Sequence, residues 1–288
     1  MKLHKVVGWE FKNAIGSKQY IITTVLIMVL MAVAILAITI AEGRDPGPSG
    51  PPPPPILIGM ILSFILFLSA FMTGVFVMYA VIKEKQSRVV ELMLSSVSPW
   101  ELIAGKIIGL GLTGLVQVLI WGTAAYIAVN QFGSFPLSSL TLVHWISYPL
   151  YFVFGYLLIA SMFATVGAAI KDIHSGGSLG LIGFIPYLPM VMIAAIIENP
   201  NMTWLRIAQF FPPFTPSLML MRIGAVPLVS EGADFVPTWE IALSICTLGL
   251  GALLMMRFAT KVFHTGMLMY GKSASFRELW KWGRKRIV

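Results

Sequence analysis

Two stretches of this chain have the spacing of known chemical motifs. Gly266-Met-Leu-Met-Tyr-Gly271-Lys272-Ser273 follows GxxxxGK[ST], in which backbone N–H groups and a lysine cradle nucleotide phosphates. Gly176-Gly-Ser178-Leu-Gly180 follows GxSxG, the turn that presents a hydrolase's nucleophilic serine. Both fail on context. A phosphate loop needs a strand before it and a sheet to carry it, whereas Gly266 follows a long apolar run and Ser273 precedes a short basic stretch. A nucleophilic serine needs a base, and His4, His144, His174 and His264 all lie outside the apolar runs. The small residues around Ser178 read instead as a place where a helix begins and packs closely on a neighbour. Cys246 is the single cysteine; it permits no internal disulfide, has no metal-ligand spacing and reads as a small hydrophobe. The expectation is no catalytic residue, no metal and no cofactor site on this chain.

The elements that would have to position any such residues are apolar. The 288 residues are 57% hydrophobic and 11% charged, against about a quarter charged in soluble domains, so lipid is the main solvent. Runs long enough to cross a bilayer read as six transmembrane helices at 20–41, 56–82, 107–129, 145–170, 179–197 and 239–256, an all-α integral membrane protein forming a single domain. Pro186 and Pro189 should kink or break the fifth. Residues 1–19 place Leu3, Val7, Phe11, Ala14 and Ile15 on one face, opposite Lys5, Lys12 and Gly16, which predicts an interfacial helix. Its lysines run into an apolar stretch too long for a cleavable signal. A Gly/Pro-rich segment ending in Pro51–Pro55 is a short, stiff spacer. Trp204–Arg222 is apolar but interrupted by Pro212, Pro213 and Pro216, so 199–237 reads as an external re-entrant or interfacial hairpin.

Positive charge fixes the orientation. Lys2, Lys5, Lys12 and Lys18, then Lys83, Lys85, Arg88 and Lys106, then Lys171, then the basic tail 257–288 all fall on one side. Only Arg44, Arg206 and Arg222 fall on the other, which predicts a multi-pass cell-membrane protein with cytoplasmic N- and C-termini. A further full span through 204–222 would put the basic tail on the wrong side.

No ionisable residue sits deep within a span, which argues against a proton-driven carrier. Glu198 and Glu240, at span ends, are expected to be solvated. The groups available to a substrate path are Thr73, Thr113, Gln117, Ser161, Thr165 and Thr247, each of which could equally hydrogen-bond a neighbouring helix. Between spans two and three, Lys83–Leu94 reads as a short amphipathic helix with Glu84 four residues before Arg88, and Ser98-Pro99-Trp100-Glu101 is a capping box that starts the next helix. Such a segment, 83–106, suits a cytoplasmic coupling helix on which a separate motor protein pushes, and by its own pattern it suits a solvated connector equally well.

Glu84-Lys85-Gln-Ser-Arg88-Val-Val-Glu91-Leu-Met-Leu-Ser95-Ser96-Val97-Ser98-Pro99, followed by Leu102-Ile-Ala-Gly105-Lys106-Ile-Ile-Gly109, resembles the permease subunits of type-2 ABC exporters. It is similar in particular to the bacterial sodium-efflux permeases. Phe211-Pro-Pro213-Phe214-Thr215-Pro216-Ser217 and Phe263-His-Thr265-Gly266-Met-Leu-Met-Tyr270-Gly271-Lys272 agree. The resemblance implies a permease that pairs with a second copy or paralogue and with an ABC ATP-binding subunit, which would hold the ATP and Mg. It implies that Glu84, Arg88, Glu91, Ser98, Pro99, Glu101, Gly105 and Lys106 form the coupling region, with Lys171 and Asp172 in a second, smaller contact. Sodium is the implied cargo, but many members of that family carry a sizeable external domain where only Glu42–Pro55 stands here. An amphipathic drug, peptide or lipid therefore stays open as cargo. A passive channel or scaffold, and a membrane-embedded enzyme, are the readings from other classes. In the tail, Ser275-Phe-Arg-Glu278 caps a helix in which Leu279, Trp280 and Trp282 alternate with Lys281, Arg284, Lys285 and Arg286; this reads as a second interfacial helix on anionic lipid, with no nucleic-acid partner.

Overall fold

The computed structural model describes residues 3–41, 55–87, 99–132, 142–170, 181–199, 201–229, 236–267, 278–279 and 281–282. Every regular element among them is helical. In chain order these are α1 (Leu3–Ile15), α2 (Lys18–Ala41), α3 (Pro55–Ser87), α4 (Pro99–Phe132), α5 (Leu142–Ala169), a 3-10 helix (Leu181–Met192), α6 (Ile193–Glu198), α7 (Thr203–Ala208), α8 (Thr215–Val229) and α9 (Thr238–Met267). Helices α3, α4, α5 and α9 are each long and apolar enough to cross a membrane, and α1 with α2 makes a fifth candidate if that pair, bent by 61°, is one span.

The bend has a local cause. Gly16 and Ser17 interrupt the helix, and the Ser17 hydroxyl accepts from the Tyr20 backbone N–H at 3.2 Å, which caps the new start. From there α2 turns a face of Ile21, Ile22, Val25, Leu26, Val29, Leu30 and Val33 outward, as a lipid-facing helix does. The core lies around α5, the most buried of the spans, which packs against α9 and α3; α8 in turn packs on α3.

The expected break at Pro186 and Pro189 takes the form of the 3-10 helix. Without N–H groups, the two prolines leave the carbonyls of Gly183 and Pro186 without their 3-10 partners. The Ser217 hydroxyl of α8 donates to the Pro186 carbonyl at 2.6 Å and replaces the missing donor there.

Two elements expected at the membrane surface also pack on the protein core. Helix α1 does not merely lie on lipid: Leu3, Val6 and Ala14 pack against the core and Glu10 is buried against α4, while Trp9 faces out. Likewise Leu279 and Trp282 of the tail are buried in the main core, with Trp282 beside Gly266. The expected segments 42–54, 88–98, 171–180 and 268–277 lie outside the described residues.

Close approach explains why α1 can dock. Gly105 and Gly109 lie one turn apart on α4; a Cβ at Gly105 would lie 2.6 Å from Val6 Cγ1, and one at Gly109 would lie 2.8 Å from both Glu10 Cβ and the Val7 carbonyl oxygen. Gly122, further along α4, meets nothing within 4 Å. Gly109→Ala is therefore expected to destabilise the purified protein by about 1–3 kcal/mol through overpacking. Gly122→Ala should be neutral or stabilising by up to about 1 kcal/mol. Thermal melting of the two variants in detergent checks the contrast; equal effects would mean that α1 is not seated on the glycine face.

Candidate coupling site

The residues that bracket the connector between α3 and α4 meet in space. Glu84 is in the last turn of α3 and Lys106 in the second turn of α4, and Lys106 Nζ lies 2.7 Å from Glu84 Oε1. The same ammonium donates to Glu10 Oε1 of α1. Its side chain is 2% exposed, so one buried lysine joins three helices through two carboxylates. Pro99 and Glu101 lie in the first turn of α4, and Gly105 stands one turn after Glu101.

Lys85 has a different task from its neighbour. Its Nζ donates to the carbonyls of Ala168 at 3.0 Å and Ile170 at 3.3 Å, and so caps the C-terminal end of α5, where no intrahelical donor remains. The ends of α3 and α5, the start of α4 and the middle of α1 are thereby tied into one charged platform. Gly266 of α9 packs on the Ala168 carbonyl at the same place, so the first glycine of the phosphate-loop pattern belongs to a helix–helix contact.

Of the residues assigned to coupling, Glu84, Pro99, Glu101, Gly105 and Lys106 fall on described elements, and the structure brings Glu84 and Lys106 together. Arg88, Glu91, Ser98, Lys171 and Asp172 lie outside the described residues. Glu10 was missed. The signal was present, because Glu10 shares the helical face of Leu3, Val6 and Ala14, and an acid on an apolar face needs a partner.

The polar residues assigned to a substrate path are mostly bonded to their own helices. Thr73 donates to the Ser69 carbonyl at 2.6 Å, Thr113 to Leu110 at 2.6 Å, Ser161 to Leu157 at 2.6 Å, Thr165 to Ser161 at 2.9 Å and Thr247 to Ser244 at 2.9 Å. Gln117 reaches another helix by a side-chain bond, from Nε2 to Thr24 Oγ1 at 3.0 Å. Its Oε1 is buried with no hydrogen-bond partner. Tyr20 and Trp121 complete this seam between α2 and α4: Tyr20 donates to the Thr113 carbonyl at 2.9 Å and Trp121 to the Thr24 carbonyl at 3.0 Å. Thr73, Thr113, Gln117, Ser161 and Thr165 are buried in this chain, whereas Thr247 is only partly so.

Glu240 is a correction. Expected in solvent at a span end, it is fully buried and paired with Arg222 and Arg206. An arginine in the apolar run Leu218–Ile223 required an acidic partner, and Glu240 supplies it from the next helix.

A family profile described as "ABC-2 family transporter protein" matches residues 51–261, which include the whole platform apart from α1 and the tail. The chain is 25% identical over 233 residues to the uncharacterized protein YhaP of Bacillus subtilis, a match covering 76% of this chain and 53% of that protein. It is 25% identical over 222 residues to the uncharacterized protein MJ1024 of Methanocaldococcus jannaschii, covering 76% of this chain and 51% of that protein. The chain thus spans about half the length of the curated relatives it matches. The chain belongs to the ABC-2 transporter family, whose members are multi-pass membrane components of transporters and are not themselves catalytic.

The platform yields an ordered expectation. Lys106→Met leaves two carboxylates facing each other in a buried site and should destabilise the protein by about 3–5 kcal/mol. Glu10→Gln keeps an acceptor for Lys106 and leaves Glu84 as its counter-charge, so its cost should be clearly smaller. Thermal melting of both in detergent tests this; a milder effect for Lys106→Met than for Glu10→Gln would contradict the assignment of Lys106 as the shared centre.

Proposed function

We propose that this chain is the permease subunit of an ATP-driven exporter, with six spans, both termini in the cytoplasm of the cell and the 199–237 segment re-entrant from outside. The family match over residues 51–261 carries this reading. Two permeases, identical or paralogous, would enclose the path, and an ABC ATP-binding subunit holding ATP and Mg would dock on the connector 88–98 and on Lys171–Ser178. The lateral lipid-facing surface of α2 supports residence in the bilayer.

The geometry around Lys106 supports a route for force. The end of α3 and the start of α4 are held together by Glu84 and Lys106. A push on the connector between them is delivered to α3 and α4 together, and through Glu10 to α1. Lys85 extends the same platform to α5. Closure of the ATP-binding subunits would then tilt several helices as a unit and turn the path from inward to outward access.

Sodium is the cargo that the sodium-efflux resemblance favours. The interior of hydroxyls, aromatic rings and methionines suits an amphipathic drug, peptide or lipid equally well. A passive channel or scaffold is the reading that the partner experiment separates from this one.

Two results check the proposal. Affinity purification of the tagged chain from its native membrane in mild detergent should bring with it an ATP-binding subunit at about one copy per permease. Reproducible absence of such a partner, under conditions that keep other ABC complexes whole, would transfer the reading to a channel or scaffold. In the reconstituted complex, Glu84→Gln or Glu91→Gln should leave membrane insertion intact and lower transport per ATP hydrolysed; unchanged coupling would remove these residues from the coupling role.

A further inference from the structure

A second ionic cluster lies at the opposite end of the bundle and plays no part in the connector. Its centre is Glu240, in the first turn of α9, where the helix dipole favours a carboxylate. Arg222, in the middle of α8 and fully buried, donates from Nη1 to Glu240 Oε2 at 2.5 Å and also to Gln209 Oε1. Its Nη2 donates to Asn201 Oδ1 at 2.8 Å. Arg206 of α7 donates to Glu240 Oε1 from Nε at 2.9 Å and from Nη2. Gln209 Nε2 donates to Glu240 Oε2 at 2.9 Å. One carboxylate thus accepts hydrogen bonds from α7, from the turn after it and from α8.

Stability alone is a weak reason for this arrangement, since a buried ion pair is often no better than apolar residues of the same volume. What it does is select one position. If α7 and α8 move away from α9, Glu240 loses all of these donors together, so intermediate positions are costly and two discrete positions are favoured. Arg206 is the exposed arm of the cluster: its side chain is 45% exposed while those of Arg222 and Glu240 are buried. The contacts beside the cluster are ones that can part as faces, a Phe210–Trp239 ring stack at 6.5 Å and the packing of Pro212 on Gly251.

We propose that the Arg222–Glu240 cluster is a latch that holds the α7–α8 pair closed against α9, and that its release opens the exit of the transport path. The second half rests on the permease reading; the first does not.

The test uses the full chain in proteoliposomes with its co-purified partner, in a Cys246→Ser background because Cys246 is exposed. Pro212→Cys places a thiol where the turn between α7 and α8 packs on Gly251 of α9. Its rate of labelling by a membrane-impermeant maleimide reports opening. Arg222→Gln with Glu240→Gln removes the charges but keeps amides that can hydrogen-bond, and should label about tenfold faster than the parent, with unchanged elution on gel filtration. Arg206→Gln, which removes only the exposed arm, should fall between the two and guards against misfolding of the double variant. Both variants labelling as slowly as the parent would overturn the latch. ATP should accelerate labelling of the parent in a complex that hydrolyses it; fast variants with no response to ATP in such a complex would overturn the assignment to the exit. Fast variants in a chain that recruits no ATP-binding subunit would leave the latch standing and sink the permease reading instead.

Discussion

A chain dissolved in lipid has no water to satisfy its polar groups, and this constraint decides the placement of almost every polar atom described above. Helices satisfy the backbone. The buried hydroxyls of Thr113, Ser161 and Thr165 turn back onto carbonyls of their own helices, which removes their cost without specifying a neighbour. The groups that do specify neighbours are larger: Tyr20 and Trp121 join α2 to α4, and Tyr156 reaches the Ile107 carbonyl from α5 at 2.9 Å. Lys85 serves the end of α5, where helical bonding runs out.

Charges obey the same constraint more strictly, and they collect at the two ends of the bundle in opposite patterns. At one end a lysine is central and two carboxylates flank it; at the other a carboxylate is central and two arginines flank it. Each central group is almost wholly buried and each flanking group comes from a different part of the chain. A central charge of this kind resists partial separation, because loss of one partner leaves a buried charge less well compensated. Both ends should therefore resist partial separation, while the middle is held by packing and by the bonds that Tyr20, Gln117, Trp121 and Tyr156 make between helices.

Much of this architecture was legible in the sequence. The apolar runs located α2, α3, α4, α5 and α9, since length and hydrophobicity are local properties, and Pro186 with Pro189 located the break for the same reason. Pro99 and Glu101 of the expected capping box fall in the first turn of α4, while Ser98 lies outside the described residues. Glu84 and Lys106 were grouped by resemblance, and the ion pair between them supplies a physical reason. What was not legible was partnership across long separations. Glu10 reaches Lys106 over 96 residues, and reading α1 as a lipid-facing helix ignored the acid on its apolar face. Glu240 was judged by its position at the end of a run, although Arg222, 18 residues earlier, stands in apolar surroundings and demands a counter-charge. In a membrane chain, a lone charge in an apolar run is a statement about a partner elsewhere, and the two should be read together.

Helix α8 is where these local and distant effects meet. Its Ser217 hydroxyl repairs the proline break by donating to Pro186, while its Ser217 carbonyl accepts from Ser63 of α3 at 3.4 Å. Five residues further on, more than one helical turn, Arg222 holds Glu240 of α9. The 3-10 helix cannot regain α-helical form at Pro186 and Pro189, so its shape is set by the chain, but its position is set by α8. A displacement of α8 must therefore either carry the 3-10 helix with it or leave the Pro186 carbonyl unpaired in a buried site, and the second costs about 1–3 kcal/mol. The broken segment and the Arg222 cluster are for this reason one mechanical unit rather than two.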